Sequence, residues 1–312
     1  MHGNSNKNVA GAKVALIAGP TASGKSSLAM RIAERIGGVI VNADSAQVYR
    51  DLRIVTARPS KADEAALPHR LFGYIDGSET CSAARWSNDV KIEIAETHAQ
   101  GKPAIIVGGT GLYHRTLLEG LAPIPEIDVD IRAQIRGLPV AEAFAALERE
   151  DPVSAARLNA ADTTRVARAL EVIRATGRTI AEWQKEKSGG IATDILLTPL
   201  ILLPDRDWLY ERCDRRFAGM FESGAIEEVE ALLERELDPS LPIMRAIGVP
   251  EIADFLSGDL DRDQAIAAAA QATRRYAKRQ CTWFSNQPPR EWTRINESDY
   301  IEYENEIVTK LQ

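Results

Sequence analysis

The sequence predicts an α/β protein, a parallel sheet flanked by helices that carries a helical insertion domain. Three observations point there. Three strand-sized apolar runs alternate with helical stretches early in the chain and a fourth follows at 195–203, in a core expected over 1–121 and 193–312, a pattern that implies a parallel sheet covered on both faces. Between the first apolar run and the first helical stretch stands Gly19-Pro20-Thr21-Ala22-Ser23-Gly24-Lys25-Ser26. This matches G-x-x-x-x-G-K-[ST], the P-loop turn that joins a strand to a helix in such sheets. From 122 to 192 the spacing is helical, with Pro and Gly breaks at both ends.

Along the chain, Met1 to Asn8 reads as a short polar tail. Residues 13–18 form the first expected strand, and its helix runs from about 24 to 36. The second strand is 39–43. A helix over 83–100 precedes the third strand at 103–107, and 195–203 is a fourth apolar run. Inside the insertion, Ala122-Pro123-Ile124-Pro125 breaks the chain, and 140–149 reads as a helix stopped by Asp151-Pro152. Another helix is expected from Asp162 to about Ala175, with Asp162 as N-cap and Gly177 as stop. Lys187-Ser188-Gly189-Gly190 reads as a mobile exit. From Asp205 onward the pattern is helical, with an Ala-rich stretch over 262–284.

The turn at 19–26 carries chemistry. Its glycine backbone admits a polyphosphate, and its N–H groups and the following helix N-terminus face the anion. Lys25 adds a charge, and the Ser26 hydroxyl stands where Mg²⁺ would sit. A di- or triphosphate is the expected ligand. Asp44 ends the second strand and reads as a metal holder, a general base or a strand-end cap. Ser45-Ala46-Gln47-Val48-Tyr49-Arg50 is polar for the top of a buried strand, a position that more often lines a site than packs. In Gly108-Gly109-Thr110-Gly111-Leu112-Tyr113 the glycines allow close backbone approach. Thr110 either offers a hydroxyl over the cradle or caps the next helix. Arg212 and Arg216 share a helix face, which is either solvated or a second anion clamp.

Composition narrows the partners. Apolar content of 45% and charged content of 27% are ordinary for a globular protein. The apolar stretches are too short to span a membrane, and no secretory signal precedes the first strand. Cys81, Cys213 and Cys281 are odd in number and dispersed, which favours neither a disulfide framework nor a zinc site and suggests the reducing cytoplasm. A monomer without an obligate protein partner is the plain expectation. The net charge of −7 argues against a generally basic nucleic-acid binder. A local stripe is nonetheless present in Arg274-Arg275-Tyr276-Ala277-Lys278-Arg279-Gln280, followed by Trp283-Phe284. Arg274 with Lys278 and Arg275 with Arg279 sit at i,i+4, on a face that meets a polyanion or solvent. Arg165 and Arg168 form a weaker patch with the same two readings.

Together these segments resemble one family, the tRNA dimethylallyltransferases, also called tRNA isopentenyltransferases. Beside residues 19–26, the resemblance is carried by Asp44-Ser45-Ala46-Gln47-Val48-Tyr49-Arg50, Pro68-His69-Arg70-Leu71 and Val107-Gly108-Gly109-Thr110-Gly111-Leu112-Tyr113. It continues through Arg165-Val166-Ala167-Arg168-Ala169-Leu170-Glu171-Val172, Ala246-Ile247-Gly248 and Ala272-Thr273-Arg274-Arg275-Tyr276-Ala277-Lys278-Arg279-Gln280. These run in the family's order over about 13–287.

The resemblance implies transfer of a dimethylallyl group from dimethylallyl diphosphate to the exocyclic N6 amine of adenosine 37, beside the anticodon. The tRNAs concerned would read codons that begin with U, and diphosphate would be released. On this reading Gly19, Pro20, Thr21, Ala22, Ser23, Gly24, Lys25 and Ser26 hold diphosphate, and Ser26 also holds Mg²⁺. Asp44 would accept the amine proton, Thr110 would donate to the departing bridging oxygen, and Arg216 would clamp the diphosphate. The tRNA anticodon stem-loop would be clasped by the insertion. The implied tRNA contacts are Asp44, Ser45, Ala46, Gln47, Thr110, Arg132, Thr164, Arg165, Val166, Ala167, Arg168, Arg245, Gly248, Arg275 and Arg279. The target base must leave its stack to react, which is cheapest in a loop.

The chain departs from the family pattern at one segment. Where the family usually reads G-M-D-I-G-T-A-K-P, this chain has Asp51-Leu52-Arg53-Ile54-Val55-Thr56-Ala57-Arg58-Pro59. A branched Val55 does not easily take positive φ, so a locally altered loop is expected. Ser26 stands where Thr is commoner and keeps the hydroxyl. Competing readings are a P-loop small-molecule or nucleotide kinase, a catalytically silent RNA binder, and a prenyltransferase for free adenine nucleotides. The kinase gives no reason for the insertion or the basic stripe.

Overall fold

The computed structural model describes residues 9–296 and 300–312, so the tail expected over Met1–Asn8 lies outside the described residues. Among the described residues the strands are, in chain order, β1 (Lys13–Ala18), β2 (Val39–Asn42), β3 (His69–Arg70), β4 (Ala104–Gly108), β5 (Gly120–Leu121), β6 (Ser188–Gly189), β7 (Leu196–Leu202) and β8 (Thr293–Ile295). The helices are α1 (Lys25–Ile36), α2 (Lys61–Ala66), α3 (Ala83–Ala99), α4 (Gly111–Glu119), α5 (Val129–Arg136), α6 (Val140–Glu150), α7 (Pro152–Ala155), α8 (Thr163–Thr176), α9 (Ile180–Trp183), α10 (Arg206–Glu222), α11 (Ala225–Leu233), α12 (Val249–Ser257), α13 (Arg262–Asn286) and α14 (Ile301–Leu311).

The chain divides into two compact units, one of residues 1–117 with 191–312 and one of residues 118–190. The first holds a six-stranded sheet in the order β3-β2-β4-β1-β7-β8. Every neighbouring pair in it is parallel. All of β4, and β1 from Val14 on, is buried, as expected of strands covered on both faces. Ile17, Ile40, Ile105 and Leu202 meet Leu28 and Ile32 of α1 in one core cluster. Gly37 stops α1 in the left-handed conformation at φ 64°.

The edge strands correct the sequence reading. Residues 205–312 are not wholly helical, because Thr293–Ile295 pairs with β7 through Leu200↔Thr293 and Leu202↔Ile295. His69–Arg70 likewise extends the other edge. Both are too short to show a period-two pattern. Among the described residues no helix is long and apolar enough to cross a membrane.

In the second unit, Ile135, Ala146, Leu147, Val166 and Leu170 form a separate core. Asp162 caps α8 by accepting from the Arg165 N–H, and Gly177 ends that helix at φ 68°. Glu171 is buried and carries both Arg136 at 2.9 Å and Arg168 at 3.4 Å. The segment read as a mobile exit is instead a strand: Ser188 and Gly189 pair antiparallel with Leu121 and Gly120. Lys187 reinforces this ladder through Glu119 at 2.6 Å.

His114 on α4 is buried, its Nε2 3.2 Å from the Gly108 carbonyl, which fixes that nitrogen as the donor. Burial lowers its pKa from 6.5 to about 4. The unfolded chain therefore takes up this proton first. The stability linked to His114 is full above about pH 6.5 and is lost as pH falls toward 4. Between about pH 7.5 and about pH 5.5 the unfolding free energy in urea should fall by about 1 kcal/mol more in the wild type than in His114→Gln. Equal losses in the two proteins would remove His114 from the acid response.

Candidate functional site

The turn after β1 is held open from behind. The Thr21 N–H donates to Gln280 Oε1 at 2.8 Å, and Gln280 Nε2 donates to the Gly109 carbonyl at 2.9 Å. One buried amide on α13 thus ties the turns after β1 and β4 together. A Cβ on Gly109 would lie 2.1 Å from Gln280 Nε2, so the backbone approach that the glycines allow is used here. Tyr300 braces the same turn, its hydroxyl donating to the Ser23 carbonyl at 2.8 Å. Lys25 Nζ donates to the Pro20 carbonyl at 3.1 Å, keeping the ammonium over the turn.

Asp44 stands beyond the end of β2. Asn42, fully buried, orients it: the Asp44 N–H donates to Asn42 Oδ1 at 2.8 Å, and Asn42 Nδ2 donates to the Asp44 carbonyl at 3.0 Å. Asp44 Oδ1 accepts from the Ala46 N–H at 2.9 Å. The Thr110 hydroxyl accepts from the Ser45 N–H at 3.0 Å and donates to Ser45 Oγ at 3.3 Å. Thr110 therefore braces the turn after β4 against the turn after β2. Asn42 was read only as part of an apolar run. Its signal in the sequence is an amide at the last position of an otherwise apolar strand.

The face of α10 that carries Arg212 and Arg216 turns toward the cradle. Arg216 Nη2 donates to Thr21 Oγ1 at 2.6 Å, and Arg212 Nε donates to the Ala22 carbonyl at 2.9 Å. A cavity of about 510 Å³ opens among Thr21, Lys25, Ser26, Asp44, Gln47, Thr56 and Arg216. A second, of about 320 Å³, is lined by Tyr49, Val55, Phe217, Met220 and Ile247 with Arg245, Tyr276 and Arg279. Thr21, Asp44, Thr56 and Arg216 line both.

Burial lowers the Lys25 pKa to about 8, opposed by the Asp44 charge and assisted by Arg216. Burial likewise pushes Arg216 down, and it pushes the Tyr276 phenol up beside Asp44. The cavity thus holds partly dehydrated cations beside a carboxylate. Among the described residues there is no cluster of three or more His, Cys, Asp or Glu side chains able to hold a metal. The donors present are the Ser26 hydroxyl and the Asp44 carboxylate in one cavity. That set fits a Mg²⁺ ion that takes its other ligands from phosphate and water.

The remaining expected residues are distributed unevenly. In the basic stripe, Arg274 is ion-paired with Asp214, whereas Arg275, Lys278 and Arg279 are exposed. The Arg279 guanidinium lies 5.6 Å from the Tyr276 ring centroid at the second cavity. Arg245 is exposed at that cavity, while Gly248 is buried at the start of α12 with φ 101°. Thr164 and Arg165 are exposed at the start of α8, and Ala167 and Arg168 are half-buried. Val166, at 1% exposure, has its side chain in the helical unit's core. Arg132 has a buried Nε in the same unit.

In the loop at 51–59 the left-handed residue is Ala57, at φ 53°, and Val55 keeps a negative φ. A Cβ on Gly248 would stand 2.7 Å from Val55 Cγ1. The branched side chain therefore occupies the space that Gly248 leaves.

Comparison with known proteins places this geometry. A family described as IPP transferase matches residues 47–287. A tRNA dimethylallyltransferase of Sphingopyxis alaskensis is 59% identical over 300 residues, covering 96% of this chain and 98% of that protein. One from Erythrobacter litoralis is 60% identical over 292 residues, covering 92% of each. Among solved structures, the full-length tRNA isopentenylpyrophosphate transferase of Bacillus halodurans is similar with a TM-score of 0.68 and 32% identity, over 96% of both chains. A eukaryotic dimethylallyltransferase acting on tRNA gives a TM-score of 0.75 at 30% identity, over 88% of this chain and 70% of that one. The chain belongs to the IPP transferase family, that of the tRNA dimethylallyltransferases.

Proposed function

We propose that the protein transfers the dimethylallyl group of dimethylallyl diphosphate to the N6 amine of adenosine 37 in tRNAs that read codons beginning with U, releasing diphosphate. The observation that carries the reading, beside family membership, is the junction of the two cavities at Thr21, Asp44, Thr56 and Arg216. The charged cavity over residues 19–26 suits a diphosphate. The adjoining one, with Tyr49, Val55, Phe217, Met220 and Ile247, suits an apolar chain and a flat base.

Each residue then has a chemical task at that junction. Turn amides, Lys25 and Arg216 stabilise the charge that grows on the diphosphate as the allylic C–O bond breaks. Thr110, turning its hydroxyl proton away from Ser45 Oγ, donates to the departing bridging oxygen. Asp44 takes the proton from the adenine amine, which is a weak nucleophile while neutral. Asn42 and the Ala46 N–H fix that carboxylate beforehand. When bound, Mg²⁺ would be held by Ser26 and adds positive charge beside the leaving group.

The tRNA anticodon stem-loop is met by Arg245, Arg275 and Arg279, and by the helical insertion through Thr164, Arg165 and Arg168. Gly248 serves by shaping the turn before α12, and Val166 by packing. The reaction belongs in the cytoplasm, where tRNA is modified. A small-molecule kinase is disfavoured because it leaves the second cavity and the exposed stripe without a task.

The test is incubation of purified protein with Mg²⁺, dimethylallyl diphosphate and unmodified tRNA, followed by nucleoside mass spectrometry. A mass gain of one dimethylallyl group on the anticodon-adjacent adenosine is expected. Transfer to free adenosine monophosphate alone would reassign the substrate, and ATP turnover without transfer would restore the kinase reading. Asp44→Ala should lower transfer by at least about a hundredfold while tRNA still binds; undiminished turnover would dismiss Asp44 as the base. Replacing Arg275 and Arg279 with Ala should weaken tRNA binding and flatten its dependence on salt, because fewer phosphate counterions are displaced. An unaltered slope in a salt titration would return those side chains to a solvated face.

A further inference from the structure

The backbone amides of Arg53, Ile54 and Val55 turn onto one acceptor. The Arg53 N–H donates to Glu228 Oε1 at 2.6 Å, and the Val55 N–H donates to Glu228 Oε2 at 2.9 Å. The Ile54 N–H lies 2.9 Å from each oxygen. Successive N–H groups converging in this way form an anion-binding nest. Its occupant is a side chain from α11. Hydrogen bonds to a charged acceptor are the strong ones.

The segment held by this carboxylate borders both cavities. Val55 and Thr56 line the smaller, and Thr56 and Ala57 line the larger. Glu228 lies behind the loop, outside either lining. Ala57 sits at φ 53°, a conformation that a residue with a Cβ holds only when its surroundings fix it. On the far side, Gln47 Nε2 donates to the Thr56 and Ala57 carbonyls, each at 2.9 Å. The loop is thus clamped between Glu228 behind and Gln47 in front.

We propose that Glu228 is a positioning residue for the allylic diphosphate: by filling the nest of residues 53–55 it fixes Thr56 and Ala57 at the wall of the phosphate cavity. The inference rests on the prenyl-transfer reading above. Glu228 makes no contact with the reacting atoms, so its effect falls on substrate placement more than on bond breaking. Because the nest binds anions as such, a small free carboxylate can take the place of the side chain.

The experiment compares wild type, Glu228→Ala and Glu228→Gln in steady-state transfer, varying dimethylallyl diphosphate at saturating tRNA. Glu228→Ala should raise KM for the diphosphate by about tenfold, with kcat falling less than about threefold and tRNA affinity unchanged. Sodium acetate at about 100 mM should recover most of that KM, and chloride at equal ionic strength should not. A wild-type KM in folded Glu228→Ala overturns the proposal, as does acetate no better than chloride. If Glu228→Ala does not fold, Glu228→Gln decides: a raised KM supports the role and an unchanged one removes it. Absence of transfer by the wild type would sink the prenyl-transfer reading instead. Calorimetric binding of inorganic diphosphate to each protein then still reads the loop, weaker binding to the variants supporting the role and equal binding overturning it.

Discussion

The cations gathered at the end of β1 set the terms for the rest of the fold. Lys25 and Arg216 are drawn out of water in one cavity; burial lowers the proton affinity of both, Arg216 lowers that of Lys25 further, and Arg212 that of Arg216. Two like charges near each other destabilise a folded chain unless an anion joins them. Asp44 supplies part of that compensation. The remainder is a demand for negative charge, which on the proposed reading a diphosphate meets. A leaving group that gains charge during reaction meets it better than the intact substrate does, and this difference is what accelerates a reaction.

Holding such a cluster together falls to backbone turns at the carboxyl ends of neighbouring strands. The sheet order places β4 between β1 and β2, so the turn with Thr110 stands between the cradle and Asp44. Thr110 and Gln280 act across those gaps, one toward Ser45 and the other toward Thr21. Gln280 lies 259 residues from Thr21 in sequence, so this contact exists only once the C-terminal helices have packed. That packing is apolar and local, with Leu209 and Cys213 of α10 against Ala277 of α13. Arg216 is carried on the same α10. Arg216 and the Gln280 brace are therefore positioned by one helix pair.

Much of this was legible from the residues alone. The glycine turn, the polar end of β2 and the Gly-Gly-Thr-Gly turn after β4 were recognisable because backbone geometry demands particular residues there. Arg216 was readable only as one of two alternatives, since periodicity gives the face of a helix but not what the face meets. Strands β3 and β8 escaped because a strand of two or three residues at an edge carries no period. The ladder of Ser188–Gly189 with Gly120–Leu121 escaped because glycine-rich segments look like linkers until their partner is found. Val166 shows the limit of a motif: its segment runs along a helix, where successive residues turn by about 100°, so some of them face the core. Asn42 and Glu228 are polar residues that act on backbone N–H groups; Asn42 is marked only as an amide in an apolar strand, and nothing in spacing marks Glu228.

The loop at 51–59 illustrates how a departure in one segment is absorbed elsewhere. A glycine permits two separate things, a left-handed backbone and the absence of a side chain. In this chain both are in use around the loop. Ala57 bears a left-handed conformation at φ 53°, fixed by hydrogen bonds from Gln47 to its carbonyl and its neighbour's. Gly248, at φ 101°, leaves a space that Val55 and the Phe217 ring border. The added methyl groups line the apolar cavity and not the charged one. Val55 therefore takes up space at the second cavity and not at the one over residues 19–26. The same packing ties the identity of residue 55 to that of residue 248: a side chain at Gly248 would meet Val55 directly.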